Sequence, residues 1–250
     1  MRVLLLGGTA EARALAELLV EAGVQVTSSL AGRVARPRLP VGAVRIGGFG
    51  GVPGLRAALR DFELVVDATH PFARGISANA TAACIAERVP LLRLERPGWN
   101  PDPAWRIVAT HEEAAELAGR LGTRPFLTVG RQELARFVPH LSDLDVLARV
   151  VDPPEIEIPE CWRLLSSRGP YSVPGDLAVM REHRTDVLVT KDSGGTYTRP
   201  KLDAAAALGV PVIVVARPEP DPRTSVVNAV GPALDWVLSH RGGQVASVLT

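Results

Sequence analysis

Short aliphatic runs without polar alternation recur along this chain of 250 residues, each followed by a turn and an alanine-rich stretch with helical spacing. No other feature narrows the fold as much. Unbroken apolar runs are what strands look like when both faces of a parallel sheet are covered. Strand, helix, strand in repetition builds such a sheet from βαβ units. The first set of runs is Val3–Leu6, Val24–Ser28, Ala43–Ile46, Leu64–Asp67 and Leu91–Leu94, with helical stretches at Glu11–Ala22, Val52–Arg60 and Phe72–Glu87. In the first of these helices Leu15, Leu18, Leu19 and Ala22 recur at three and four residues and make one apolar face.

A cluster of breakers, Arg96-Pro97-Gly98-Trp99-Asn100-Pro101-Asp102-Pro103, interrupts the alternation and marks a domain junction. Beyond it the spacing predicts helices over Glu112–Leu121, Gln132–Phe137, Gly175–Glu182, Pro200–Leu208 and Gly231–His240. Strands are expected at Phe126–Thr128, Asp145–Val150, Trp162–Leu165, Val187–Thr190 and Val212–Val215, and Arg241–Thr250 reads as a loose tail. The expected architecture is α/β: two Rossmann-like halves with parallel sheets and an interdomain cleft. Residues 1–96 form the first half and residues 97–250 the second. Small-molecule sites favour such clefts and the carboxyl ends of parallel strands.

Composition removes several classes of function. Hydrophobic residues make up 46% and charged residues 22%, a globular balance. With Lys+Arg at 28 and Asp+Glu at 27 the net charge is +1, and nothing asks for a nucleic-acid partner. No apolar run nears the roughly 18–20 residues that span a bilayer, so no membrane is expected. The run Met1–Leu6 is broken by glycine too early for a signal peptide. The two cysteines, Cys84 and Cys161, make neither a disulfide framework nor a C-x-x-C pair, and no Cys/His cluster suggests a metal. These features together predict a cytoplasmic protein, with its oligomeric state left open. A G-x-S-x-G elbow and a P-loop are both missing.

Gly7-Gly8-Thr9-Ala10-Glu11-Ala12 follows a strand and opens a helix. Two glycines permit a tight turn and close backbone approach, and the helix start offers N–H groups to a phosphate. The full G-x-G-x-x-G spacing is absent, and a plain βα turn reads the same way. The second strand runs into Ser28-Ser29-Leu30-Ala31-Gly32-Arg33, hydroxyls and a cation where an NAD site usually places an acid. Serine plus arginine suits the 2′-phosphate of NADP; an ordinary surface arginine is the alternative. Asp67-Ala68-Thr69-His70-Pro71 ends the fourth strand, which puts His70 at the carboxyl edge of the sheet, as a ligand contact or a structural cap.

In the second half, Thr128-Val129-Gly130-Arg131-Gln132 and Thr190-Lys191-Asp192-Ser193-Gly194-Gly195 each follow a strand, and Ser166-Ser167-Arg168-Gly169-Pro170-Tyr171 is a third such loop. Each sets small residues beside a cation, and Arg131, Arg168 and Lys191 facing one cleft would suit a substrate with several carboxylates. Each is equally readable as a lone surface charge. Among these residues His70 alone has an unperturbed pKa near neutrality. It is therefore the candidate proton relay, Lys191 the substrate anchor, and Asp192 the holder of an ordered water.

Taken together, LLLGGTAEAR (4–13), SSLAGR (28–33), DATHPFA (67–73), LERPGW (94–99), TVGRQEL (128–134), SSRGPY (166–171), TKDSGG (190–195) and PVIVVARP (211–218) resemble the precorrin-6A reductase family over nearly the whole chain. The resemblance implies an NADPH-dependent enzyme of corrin ring biosynthesis that reduces the C18=C19 double bond of a tetrapyrrole macrocycle. Hydride comes from NADPH and a proton from solvent. It implies Gly7, Gly8, Thr9, Ala10 and Glu11 at the cofactor's phosphates, and Ser28, Ser29 and Arg33 at its 2′-phosphate. Thr69, His70, Gly130, Arg131, Gly194 and Gly195 would lie nearer the nicotinamide or the macrocycle. Two other readings stand beside it. One is a different NADP oxidoreductase or epimerase on a small substrate, which usually shows Tyr-x-x-x-Lys on a helix. Tyr197 and Lys201 have that spacing, but Pro200 interrupts it. The other is a non-catalytic NADPH sensor.

Overall fold

The structure, a computed structural model, describes residues 1–32 and 38–241. It divides into two compact units, residues 1–97 with 218–241 and residues 98–217.

The first unit opens with β1 (Arg2–Leu6), α1 (Ala10–Glu21), β2 (Gln25–Leu30), β3 (Ala43–Ile46), α2 (Gly51–Leu59), β4 (Leu64–Asp67), α3 (Arg74–Glu87) and β5 (Leu91–Leu94). The second holds β6 (Arg106–Val108), α4 (His111–Leu121), β7 (Pro125–Thr128), a 3-10 turn at Leu134–Arg136, α5 (Val138–Leu141), β8 (Leu147–Val150), β9 (Arg163–Ser166), α6 (Val173–His183), β10 (Val187–Lys191), α7 (Pro200–Leu208) and β11 (Val212–Val215). The chain then returns to the first unit with β12 (Ser225–Val227) and α8 (Val230–Ser239).

Each unit is one six-stranded sheet, in the orders β12-β5-β4-β1-β2-β3 and β6-β11-β10-β7-β8-β9. Every recorded pairing is parallel. The strands are fully buried where both faces are covered: Val3 and Leu5 pack toward α1 and α8, Leu4 and Leu6 toward α2 and α3. The absence of polar alternation in these runs is the sequence trace of that double coverage.

The two sheets share one topology. Starting from β1, strands run outward through β2 and β3, then resume on the other side with β4 and β5. Starting from β7, they run through β8 and β9 and resume with β10 and β11. The strand order therefore reverses between β1 and β4 and between β7 and β10, and ligands of doubly wound sheets bind at such switch points. The sixth strand is exchanged in sequence. The first sheet takes it from the end of the chain (β12) and the second from its own beginning (β6).

The expectation that residues 97–250 make one continuous half is thus corrected. β12 pairs with β5 at Ser225↔Leu92, Val226↔Arg93 and Val227↔Leu94. Ala233 and Val237 of α8 join the buried cluster around Leu15 and Leu19 of α1. The helix expected over Gln132–Phe137 is replaced by the 3-10 turn and α5, because Pro139 near the start of α5 has no N–H to carry a hydrogen-bond ladder through. The expected tail falls on residues 242–250, outside the described residues; Arg241 before them donates to the carbonyls of Ala22 and Gly23 at 2.6 and 2.8 Å.

Candidate active site at two switch points

At the first switch point, Gly7 and Gly8 carry the chain from β1 into α1. Gly7 N–H donates to Ser29 O at 2.9 Å, tying the turn to the end of β2. Gly8 has φ +116°, and a Cβ built there meets nothing within 4 Å, so the backbone is bare on that side. Thr9 caps α1: its Oγ1 accepts from Ala12 N–H at 3.1 Å and donates to Ala68 O at 2.7 Å. One hydroxyl therefore orders the helix start and links it to the loop after β4. Ala10 and Glu11 form the first turn of α1, and the Glu11 carboxylate pairs with Arg96 at 2.8 Å.

Ser28 and Ser29 lie on opposite faces at the end of β2 and are 1% and 6% exposed. The Ser28 Oγ is buried with no hydrogen-bond partner among the described residues. Ser29 Oγ accepts from Arg45 Nη1 at 3.2 Å across the β2–β3 pairing. No acidic side chain sits at either position. Arg33, expected beside these serines, lies outside the described residues.

The loop after β4 is held by a buried ion pair that motif reading missed. Asp67 Oδ1 accepts from Thr69 N–H and Thr69 Oγ1 at 3.0 and 2.7 Å. Its Oδ2 meets Arg93 Nη1 at 2.7 Å, with side chains only 3% and 6% exposed. Arg93 also reaches Glu95, Ser77 and Thr69. Arg93 stands mid-run in the aliphatic stretch Leu91–Leu94; a cation inside a buried strand was the available signal. His70 follows on this anchored loop. Its Nδ1 accepts from Phe72 N–H at 3.2 Å, so the neutral ring carries its hydrogen on Nε2.

The second switch point is built the same way. Gly130 after β7 has φ +84°, and its missing Cβ would stand 3.8 Å from Lys191 Nζ at the end of β10. The structure thus brings these two predicted residues together. Burial lowers the Lys191 pKa, partly offset by the Glu133 carboxylate. His111 lies 3.8 Å from Glu133, its pKa also lowered by burial first of all. Arg131, on the same loop, donates to Pro153 O at 2.9 Å.

Asp192 is held by one backbone N–H and one arginine. It accepts from Trp99 N–H at 3.1 Å, pairs with Arg217 at 3.3 Å, and would be struck at 2.5 Å by a Cβ on Gly98. Trp99 Nε1–H in turn donates to the carbonyl of Gly195 at 2.9 Å, and Gly194 and Gly195 are both left-handed at φ +61° and +70°. The junction residues therefore shape the loop after β10.

Nearby in the same unit, Arg149 of β8 pairs with Asp176 of α6 and lies over the Tyr171 ring at 4.2 Å. Lys201 of α7 sits 5.3 Å over the Trp99 ring, and burial brings its pKa down to about 7. Tyr197 is 57% exposed and precedes α7, which starts at Pro200, while Lys201 is 4% exposed. The Tyr-x-x-x-Lys spacing does not assemble a dyad. Among the described residues no group of three or more His, Cys, Asp or Glu side chains is placed to hold a metal ion, and no helix is long and apolar enough to cross a membrane.

A family model described as Precorrin-6x reductase CbiJ/CobK matches residues 2–238. A precorrin-6A reductase of Rhodococcus erythropolis is 52% identical over 94% of this chain and 97% of its own length. One of Mycobacterium tuberculosis is 51% identical over the same shares. A solved structure titled CobK precorrin-6A reductase is similar with a TM-score of 0.88 and 37% identity, covering 96% of this chain and 97% of that one. With a switch point prepared in each of its two sheets and a match of this extent, the chain belongs to the precorrin-6x reductase CbiJ/CobK family.

Proposed function

We propose that this chain reduces precorrin-6A with NADPH, as a cytoplasmic step of cobalamin biosynthesis. Membership of the family, with relatives above 50% identity named for that substrate, is the observation that carries the reading.

The residues present fit a dinucleotide phosphate. Gly8 leaves its backbone bare, Thr9 orders the start of α1, and Ser28 holds a buried hydroxyl with no partner among the described residues. The end of β2 has no acid to repel a 2′-phosphate. In this reading Gly7, Gly8, Thr9, Ala10 and Glu11 hold the pyrophosphate, and Ser28, Ser29 and Arg33 serve the 2′-phosphate. When bound, NADPH supplies the hydride for the C18=C19 bond, the part of the chemistry a cofactor carries.

The chain's own residues bind, orient and protonate. Thr69, Gly130, Arg131, Gly194 and Gly195 shape the loops nearer the nicotinamide or the ring. Lys191 anchors a carboxylate of the tetrapyrrole substrate. His70, donating from Nε2, relays the solvent-derived proton. Asp192 keeps the loop of Gly194 and Gly195 in place through Gly98 and Trp99.

Purified protein incubated with NADPH and precorrin-6A should yield a product heavier by two hydrogens in mass spectrometry. Binding of NADPH with no mass change would favour the non-catalytic sensor. Turnover of small sugar-like substrates instead would favour a different oxidoreductase.

A further inference from the structure

We infer that Arg45, which no sequence motif singled out, selects the 2′-phosphate of the cofactor; this rests on the NADPH reading above. Arg45 stands on β3, the strand outside β2, and pairs in register with Ser29. Ser29 is where the first glycine turn is tied down, through the Gly7 N–H. In a doubly wound sheet the end of the second strand meets the ribose that carries the 2′ substituent. The guanidinium therefore lies at the edge of the place where NADP differs from NAD.

Its surroundings suit an anion that is not part of the protein. Nη1 donates to Ser29 Oγ and to Gly47 O at 3.2 and 2.9 Å, and Nη2 donates to Gly48 O at 3.1 Å. The Phe49 ring lies under the guanidinium carbon at 3.9 Å and fixes its plane. Every one of these partners is neutral. Arg93, Arg96, Arg149 and Arg217 each have a carboxylate partner. Arg45 is a half-buried cation held in one pose with no acid partner among the described residues, and its Nε–H and one Nη2–H are uncommitted. A fork with two hydrogens to give, already ordered and facing no carboxylate among the described residues, is built to receive a phosphate at little entropic cost.

The test measures equilibrium binding of NADPH, NADH, 2′,5′-ADP and 5′-AMP by titration calorimetry to wild type, Arg45→Gln, Arg45→Lys and Arg33→Gln. Arg45→Gln should weaken binding of NADPH and 2′,5′-ADP by about tenfold or more, with NADH and 5′-AMP unchanged. Arg45→Lys should fall between, since the charge stays and the fork is lost. Equal weakening of both cofactors by Arg45→Gln means the residue only shapes the loop and overturns the inference. So does a wild-type preference for NADPH that survives Arg45→Gln and disappears in Arg33→Gln; the NADPH reading then stands. Wild type that binds both cofactors alike overturns that reading and the inference with it.

Discussion

At φ +116° Gly8 occupies backbone space that a β-branched residue enters only with strain, although nothing crowds the position itself. Gly8→Val should therefore leave a folded protein, by circular dichroism, that has lost NADPH binding. A variant that binds normally would make the turn a mere connector. His70 and Lys191 separate by kinetics. General acid assistance is worth about 10²–10⁴-fold, so His70→Ala should lower kcat by that order with modest change in KM for the macrocycle. Lys191→Ala should mainly raise KM, because an anchor binds ground and transition states alike. An unchanged kcat at saturation in His70→Ala would place the proton's source elsewhere. These residues were legible in the sequence because they sit directly after apolar runs. Arg45 was not: it is inside a run, and only the register of β3 on β2 sets it beside Ser29.

The ends of β4 and β5 are joined by the buried pair of Asp67 and Arg93. Removing one partner of such a pair leaves a desolvated charge, at a cost of about 3–5 kcal/mol. Arg93→Ala should thus lower urea stability by about that much, and Asp67→Asn added to it should recover part of the loss. Lys201 on α7 carries a pH signature. An unfolded lysine holds its proton to about pH 10.4, whereas burial brings this one down to about 7. Between those values the unfolded chain binds more protons, so this group makes stability rise with pH across the window and leaves it flat below. Lys201→Met should therefore gain most over wild type below about pH 7 and progressively less toward pH 10. An advantage that does not change with pH would mean that Lys201 is not desolvated. The core strands and most helices were readable from aliphatic runs and helical spacing. The three-residue edge strands β6 and β12 were not, because each has exposed residues at its start and no run long enough to mark it.

For the molecule as a whole, the sixth strand of each sheet is exchanged in sequence. The segment that follows the second unit completes the first sheet and covers α1 with Ala233 and Val237. A chain ended after Arg217 should keep the residues of the first glycine turn yet lose stability in the unit that carries them. Thermal unfolding and NADPH titration of that truncation would show it; binding and unfolding as in the full chain would contradict the role given to β12 and α8. Topology of this kind is invisible to local pattern, since parallel neighbours are set by crossover and not by adjacency in sequence.

The proposed reaction couples the cofactor's hydride to the corrin precursor. Its most direct test follows nicotinamide absorbance and the pigment spectrum together in one cuvette with NADPH and precorrin-6A. Both should change at equal molar rates, and faster with NADPH than with NADH. A pigment spectrum that stays fixed while NADPH is bound, or NADPH consumed without the pigment changing, would contradict it.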